Sequence, residues 1–131
     1  QVGATPKVAI VSSYQHVFHS GDYDYTPNVF YRYNGVMRNG NGVQPNMPPG
    51  DDYWNLPAWS TVDLSFEIAR ADGKYSLTFW GRNVTDKLYE TGRGYTSGSG
   101  AAVAPANSLY AYTTSNYGPP RTYGLTVNAK F

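Results

Sequence analysis

One stretch of the sequence decides the fold: Arg121-Thr-Tyr-Gly-Leu-Thr-Val-Asn-Ala-Lys-Phe131. From Tyr123 onward every second residue is apolar, and the residues between are polar or glycine. This period of two predicts a β-strand with one apolar face and one polar face. The strand closes on Phe131, as expected where the apolar face meets lipid and the last ring lies at the membrane interface.

Composition narrows the possible classes of protein. The 131 residues suffice for one domain, and a net charge of +1 gives no field that would attract nucleic acid. The absence of cysteine excludes a disulfide framework and a thiolate metal site. The 13 tyrosines suit strands, interfacial girdles and binding loops alike. The sequence begins at Gln1 without Met, as a mature product or a fragment would.

Helical periodicity is nearly absent, and the pattern predicts an all-β, antiparallel up-and-down meander. The five predicted strands cover about 7–19, 23–34, 60–70, 74–85 and 121–131. Tight turns at 20–22 and 71–73 close two hairpins, whereas two long loops, 35–59 and 91–120, form the other connections. Short turns at one end and long loops at the other are typical of an outer-membrane barrel.

The second hairpin gives an internal check of the face pattern. With 72–73 as its two-residue turn, Phe66 is predicted to face Phe79 on the apolar side. On the other side, Asp63 is predicted to face Arg82 and to form an ion pair that lines the lumen. Aromatic meets aromatic and acid meets base, as cross-strand pairing favours by roughly 0.2–1 kcal/mol per pair.

Five strands are too few to close a barrel, which needs about eight. An open sheet with an aromatic-rich face would aggregate alone. We therefore expect the chain to be either a segment of a larger transmembrane β-barrel or a protomer that completes its sheet with other chains.

Two segments carry a family resemblance. Gly81-Arg-Asn-Val-Thr-Asp-Lys-Leu-Tyr89 resembles the N-[LV]-[TF]-D-K-x-Y signature near the C-terminus of TonB-dependent outer-membrane receptors. In that family a long extracellular loop follows, and then a strand that opens with G-x-P-R-x-[YW]-G and ends in Phe. Gly118-Pro-Pro-Arg-Thr-Tyr-Gly124 and Phe131 stand in those places here. Thr5-Pro6-Lys7, before the first strand, resembles the family's usual TP-K/H entry, and Trp59-Ser-Thr-Val-Asp-Leu-Ser65 resembles its penultimate descending strand.

The resemblance implies that residues 1–131 form the C-terminal part of such a barrel in the cell outer membrane, its last five strands of about 22. The family takes up a scarce nutrient, which is a ferric siderophore, a vitamin or an oligosaccharide. Energy comes through TonB, which contacts a plug belonging to the rest of the receptor. The implied partners are outer-membrane lipid, the upstream strands, the ligand and the barrel-assembly machinery. That machinery would read the last strand, with Tyr123 and Phe131 as its signal.

The long loops are the expected recognition elements. The aromatic candidates for ligand binding, which could equally pack within their own loops, are Tyr53, Trp54, Tyr95, Tyr110, Tyr112 and Tyr117. No catalytic constellation, metal-ligand spacing or cofactor motif is present in the sequence. We expect a transporter component, with no enzymatic activity, no metal and no cofactor.

Two alternatives remain open at this level. The chain could self-associate through free sheet edges into a fibre or multi-chain assembly. It could also be a secreted carbohydrate-binding β-sandwich that uses the tyrosine-rich loops. The sandwich predicts a buried apolar face and solubility without detergent.

Overall fold

The computed structural model of this protein describes residues 5–38, 55–97 and 111–131. Among these residues, none belongs to a helix long and apolar enough to cross a membrane. Their backbone forms strands β1 (Ala9–Gln15), β2 (Phe18–Ser20), β3 (Tyr23–Asn34), β4 (Met37–Arg38), β5 (Asn55–Leu56), β6 (Trp59–Arg70), β7 (Tyr75–Arg82), β8 (Glu90–Ser97), β9 (Ala111–Tyr117) and β10 (Thr122–Ala129).

The central sheet has the strand order β1-β3-β6-β7-β10, with β2 also paired to β3. Every pairing in it is antiparallel. In the part of the chain that the structure describes, β1 and β10 each pair on one side only, so the sheet is open. The predicted all-β antiparallel meander is confirmed.

The strands extend further into the predicted loops than the sequence pattern indicated. Strands β4 and β5 pair in the same register as β3 and β6, so both lie on one long hairpin interrupted at 35–36 and 57–58. Strands β8 and β9 form a second ladder that lengthens β7 and β10. The predicted loops 35–59 and 91–120 are therefore wrong at their ends, because residues next to an existing ladder continue it.

Three predicted strand limits also change. The first predicted strand, 7–19, is interrupted at 16–17, because Pro27 lies opposite His16 and has no N–H to donate. The fourth ends at Arg82 rather than near residue 85, because Asn83 leaves the extended conformation with φ +48°. The last strand spans Thr122–Ala129.

Both short connections form as turns. Ser20 pairs with Tyr23, and Gly21 between them has φ +59°, as a type II′ hairpin turn requires. The second connection is wider than the predicted two residues, since β6 ends at Arg70 and β7 begins at Tyr75. The predicted register is nevertheless confirmed, with Phe66 opposite Phe79.

The common register places most large apolar side chains on one surface, here called the apolar face. Its members are Ile10, Tyr14, Phe18, Tyr23, Tyr25, Val29, Tyr31, Tyr33, Val62, Leu64, Phe66, Ile68, Tyr75, Leu77, Phe79, Tyr123, Leu125 and Val127. Ser12 and His16 interrupt it near one edge. Side chains at the centre of this face and at its β10 edge are exposed to solvent: Phe79 is 49% exposed and Val127 is 68% exposed.

The opposite surface, here called the polar face, is held by side-chain hydrogen bonds between strands. The amide of Asn128 donates to the Ser76 hydroxyl at 3.2 Å, and the Trp80 indole donates to the Thr126 hydroxyl at 3.2 Å. This face also carries charged side chains, among them Asp24, Arg32, Asp63, Glu67 and Arg82. The two faces thus differ in polarity along the whole sheet.

The buried side chains lie at one end of the sheet. We call this the loop end; it holds 35–36, 57–58, 83–89 and 118–121, opposite the turn end with 21–22 and 71–74. The buried side chains of the described residues are Met37, Leu56, Trp59, Thr61, Asn83 and Tyr89. The core of this chain therefore fixes the loop end and leaves the broad faces of the sheet uncovered.

Substitution of Gly118 tests the packing at this end. A Cβ at Gly118 would lie 1.9 Å from the ring of Tyr89, which is buried against Trp59, whereas one at Gly92 would meet only Asn116, at 3.6 Å. We expect Gly118→Ala to lower the free energy of unfolding by about 1–3 kcal/mol, because the Tyr89 ring must shift. Urea unfolding followed by tryptophan fluorescence measures the change.

Gly92→Ala is the matched control, and we expect it to change stability by less than about 0.5 kcal/mol. Equal losses in the two variants would show that the effect comes from any alanine in these strands and not from contact with Tyr89.

Candidate functional site at the loop end

Asn83 is the residue at which β7 stops. Its φ of +48° is a left-handed conformation that asparagine tolerates better than most residues, and Asp86 adopts a similar value of +55°. The N–H of Asp86 donates to the carbonyl of Asn83 at 2.8 Å, which closes a turn. Seven residues, 83–89, thus separate β7 from β8, against four, 118–121, between β9 and β10.

The side chain of Asn83 joins the segment 83–89 to the connection between β9 and β10 by hydrogen bonds. Its amide nitrogen donates to the carbonyls of Lys87 at 3.0 Å and Pro119 at 3.1 Å, and its amide oxygen accepts from the Lys87 N–H at 3.0 Å. The residue is only 4% exposed. The two segments that carry the family resemblance, 81–89 and 118–124, are therefore in direct contact.

The predicted ion pair between Asp63 and Arg82 is wrong. Asp63 Oδ1 accepts a hydrogen bond from the backbone N–H of Asn83 at 2.8 Å. The guanidinium of Arg82 lies over the Trp80 ring, 5.3 Å from its centroid, and within the described residues no ion pair joins it to Asp63. The turn at Asn83 supplies a fixed donor close to the carboxylate, and the exposed arginine turns to an aromatic surface instead.

A pocket of about 240 Å³ lies beside this excursion. Trp59 and Tyr89 form one wall as stacked rings, with centroids 4.1 Å apart and an interplanar angle of 29°. Tyr117 contributes a half-exposed ring, and Lys87 and Glu90 contribute the ionisable groups. The Gly118 N–H donates to the Tyr89 carbonyl at 2.9 Å, so the backbone that carries these rings is fixed.

Two polar features of this pocket stand out. A hydrogen bond from the Ser115 hydroxyl, aided by the nearby Arg93 guanidinium, holds the pKa of the Glu90 carboxyl below its ordinary value, although burial acts in the opposite direction. The indole Nε1 of Trp59 is buried and has no hydrogen-bond partner among the residues that the structure describes. A buried indole N–H usually finds an acceptor, so this donor is an exception.

The broad faces carry two further recesses. One, of about 500 Å³, opens on the apolar face above Gly81 and is bordered by Val84 and Tyr123. The other, of about 390 Å³, lies on the polar face between Phe30 and Trp80. In the described ranges no three His, Cys, Asp or Glu side chains come together as a metal site requires.

The structure places only part of the predicted ligand-binding set. Tyr117 lies in the pocket. Tyr53, Trp54 and Tyr110 lie outside the described residues, as do the side chains of Tyr95 and Tyr112.

The predicted assembly-signal residues lie on β10 and just beyond it. Tyr123 covers Gly81 on the apolar face, and Phe131 is fully exposed.

Sequence reasoning missed the residues that surround Tyr117. Trp59 and Tyr89 are thirty residues apart in the chain, and Lys87 and Glu90 look like ordinary surface charges. The available signals were the resemblance segments themselves, since Lys87, Tyr89 and Glu90 lie within 81–89 or directly after it and Trp59 begins the segment 59–65.

No family model, curated protein or solved structure matches this chain.

The revised role of Asp63 gives a test by mutation. We expect Asp63→Ala to lower the free energy of unfolding by about 1–2 kcal/mol, because it removes a charged acceptor from the part-buried N–H of Asn83. Asp63→Asn keeps an acceptor and should lose less. Arg82→Gln should change stability by less than about 0.5 kcal/mol.

A double-mutant cycle between Asp63 and Arg82 provides the control. We expect a coupling energy near zero, since the two side chains do not interact. A coupling energy as large as the stability lost in Asp63→Ala would show that Asp63 and Arg82 do form an ion pair.

Glu90 gives a test by pH. Because the pKa of Glu90 is lowered in the folded protein, the carboxylate stabilises the fold above its unfolded pKa, and this contribution is lost as the pH falls through the folded value. The urea midpoint should therefore decline as the pH is taken below the ordinary value of 4.5. Glu90→Gln should flatten this decline, and Ser115→Ala should weaken it. An unchanged profile in Glu90→Gln would assign the decline to other groups.

Proposed function

We propose that this chain forms part of the wall of a TonB-dependent receptor barrel in an outer membrane, which takes up a scarce nutrient. The observation that carries the proposal is the sheet with one apolar face, interrupted only near the β1 edge, and one polar face. Water-soluble monomers rarely expose apolar patches above a few hundred Å². In a barrel wall the apolar face meets lipid and the polar face meets the lumen.

The spacing of the tyrosines supports a membrane-spanning face. Tyr23 and Tyr75 lie at the turn end of the apolar face, followed by Tyr25, and Tyr33 and Tyr123 lie toward its loop end, preceded by Tyr31. The apolar side chains between these two levels are aliphatic or phenylalanine, apart from Tyr14 opposite Val29. Ten residues from Tyr23 to Tyr33 span roughly 33 Å along the strand, or about 25 Å at the usual barrel tilt of about 40°. That height equals the apolar band of outer-membrane barrels, which aromatic girdles bound on both sides.

The two ends of the sheet also support the proposal. At the turn end, connections of two and four residues join the strands, whereas 16 residues separate β4 from β5 and 13 residues separate β8 from β9. This is the asymmetry of periplasmic turns and extracellular loops. In this reading the loop end, with its pocket, faces outside the cell.

The open edges agree with a chain that needs neighbours. Strands β1 and β10 each have one unpaired side in the described part, and the five-strand path is too short to close by itself. In the proposal the rest of the receptor pairs with both edges, its plug contacts TonB, and the barrel-assembly machinery binds β10 with Tyr123 and Phe131. Self-association into a fibre or a multi-chain barrel is the second candidate, because the same two edges favour it.

Spin labels on β10 test which medium the apolar face meets. The chain has no cysteine, so single cysteines at Leu125, Thr126, Val127 and Asn128 can each carry one label. In protein reconstituted into lipid bilayers, we expect labels at 125 and 127 to collide with oxygen and to be shielded from a water-soluble nickel complex. Labels at 126 and 128 should show the reverse, because they lie on the polar face.

A label at Asp72 in the turn end is the control and should be accessible to nickel. Labels at 125 and 127 that are shielded from both reagents would show that protein covers the apolar face, as in a sandwich or a fibre. Equal nickel accessibility at all four positions would place the face in water and would contradict the membrane proposal.

A further inference from the structure

We infer that the pocket formed by Trp59, Lys87, Tyr89, Glu90 and Tyr117 binds one neutral saccharide ring. The inference deepens the proposed function, since it names the substrate class met at the outward end, and it rests on that proposal for the direction from which the sugar arrives. The binding itself depends only on the pocket, so it can be tested independently of any membrane.

The size of the pocket selects a single small ring. Its volume of about 240 Å³ falls below the ~300–1,000 Å³ of pockets that hold drug-sized ligands. A ferric chelate with several donor arms, or a vitamin with several fused rings, exceeds this space. One ring of a longer chain fits, with the remaining rings outside.

The aromatic side chains suit the apolar surface of a sugar. The C–H bonds on one side of a pyranose form an apolar patch, which packs on the face of an aromatic ring. Tyr117 lines the pocket and is 54% exposed, so part of its ring is open to a ligand. Tyr89 and Trp59 stack on each other in the same lining, and their packing holds the wall rigid.

The polar groups suit hydroxyls rather than an anion. Lys87 offers donors, and the Glu90 carboxylate, which Arg93 and the Ser115 hydroxyl already contact, offers its remaining acceptor sites. The lining carries charges of both signs, so an anionic ligand would meet Glu90 as well as Lys87. Each hydroxyl of a sugar both donates and accepts, and therefore matches this mixed lining.

One further observation points to a preformed site. The backbone of Lys87 is held at both its N–H and its carbonyl by the side chain of Asn83. A wall fixed before binding reduces the ordering cost of binding.

Saturation-transfer NMR on the detergent-solubilised protein tests the inference. The probes are glucose, galactose and N-acetylglucosamine, with citrate as an anionic comparison. We expect saturable binding of at least one sugar, with magnetisation transferred to its ring C–H protons, and weaker binding or none for citrate. Tyr117→Ala should weaken binding about tenfold, and Tyr117→Phe should retain it, because the ring face is unchanged.

Tyr75→Ala at the turn end is the matched control and should bind like the unchanged protein. The inference is overturned if none of the three sugars binds saturably at millimolar concentration, if Tyr117→Ala binds as well as the control, or if citrate binds more tightly than the sugars. The spin-label experiment tests the membrane proposal by a different measurement. A negative result for sugar binding therefore does not contradict the membrane proposal, and a negative spin-label result does not contradict sugar binding.

Discussion

The rest of the structure depends on the register of the central sheet, which the hairpin of β3 and β6 keeps into β4 and β5. Because side chains alternate between faces, a slip of one residue between any two strands would move one strand's apolar residues to the polar face. The register that pairs Asn34 with Trp59 also pairs Met37 with Leu56. The same register therefore produces both the uncovered apolar face and the small buried cluster at the loop end.

The hairpin of β7 and β10 changes register on the way to β8 and β9, first at 83–89 and again by a shift between Glu90 and Gly92. Asn83 makes the first and larger break stable. The β7–β8 side of the hairpin carries three residues more than the β9–β10 side, so its chain must bulge outward. Unpaired backbone groups would normally make such a bulge costly. The Asn83 side chain replaces the missing partners at Lys87 and Pro119, and Asp63 accepts from its backbone N–H. The resemblance segment thus has a structural role that needs no ligand.

The central sheet could be predicted because its strands alternate apolar and polar residues and because Phe66 and Phe79 fix one register. Strands β8 and β9 could not, since Glu90–Ser97 is rich in glycine, threonine and serine and has no apolar period; their pairing is inherited from the ladder beside them. The predicted ion pair between Asp63 and Arg82 shows a second limit of prediction from the sequence. The sequence places the two residues on the same face, but it does not show that Asn83 turns its N–H toward the carboxylate.

The pocket beside Trp59 and Tyr89 results from the interruption of the strands at 83–89. A continuous ladder would carry β7 straight into β8 and would not form this pocket. Because residues 83–89 leave the ladder and return at Glu90, Tyr89 turns inward against Trp59, and Gly118 provides the space for its ring. The extra residues place Lys87 and Glu90 around the same recess. A departure from regular β-structure, held by one buried asparagine, therefore creates a third recess in addition to the two on the broad faces of the sheet.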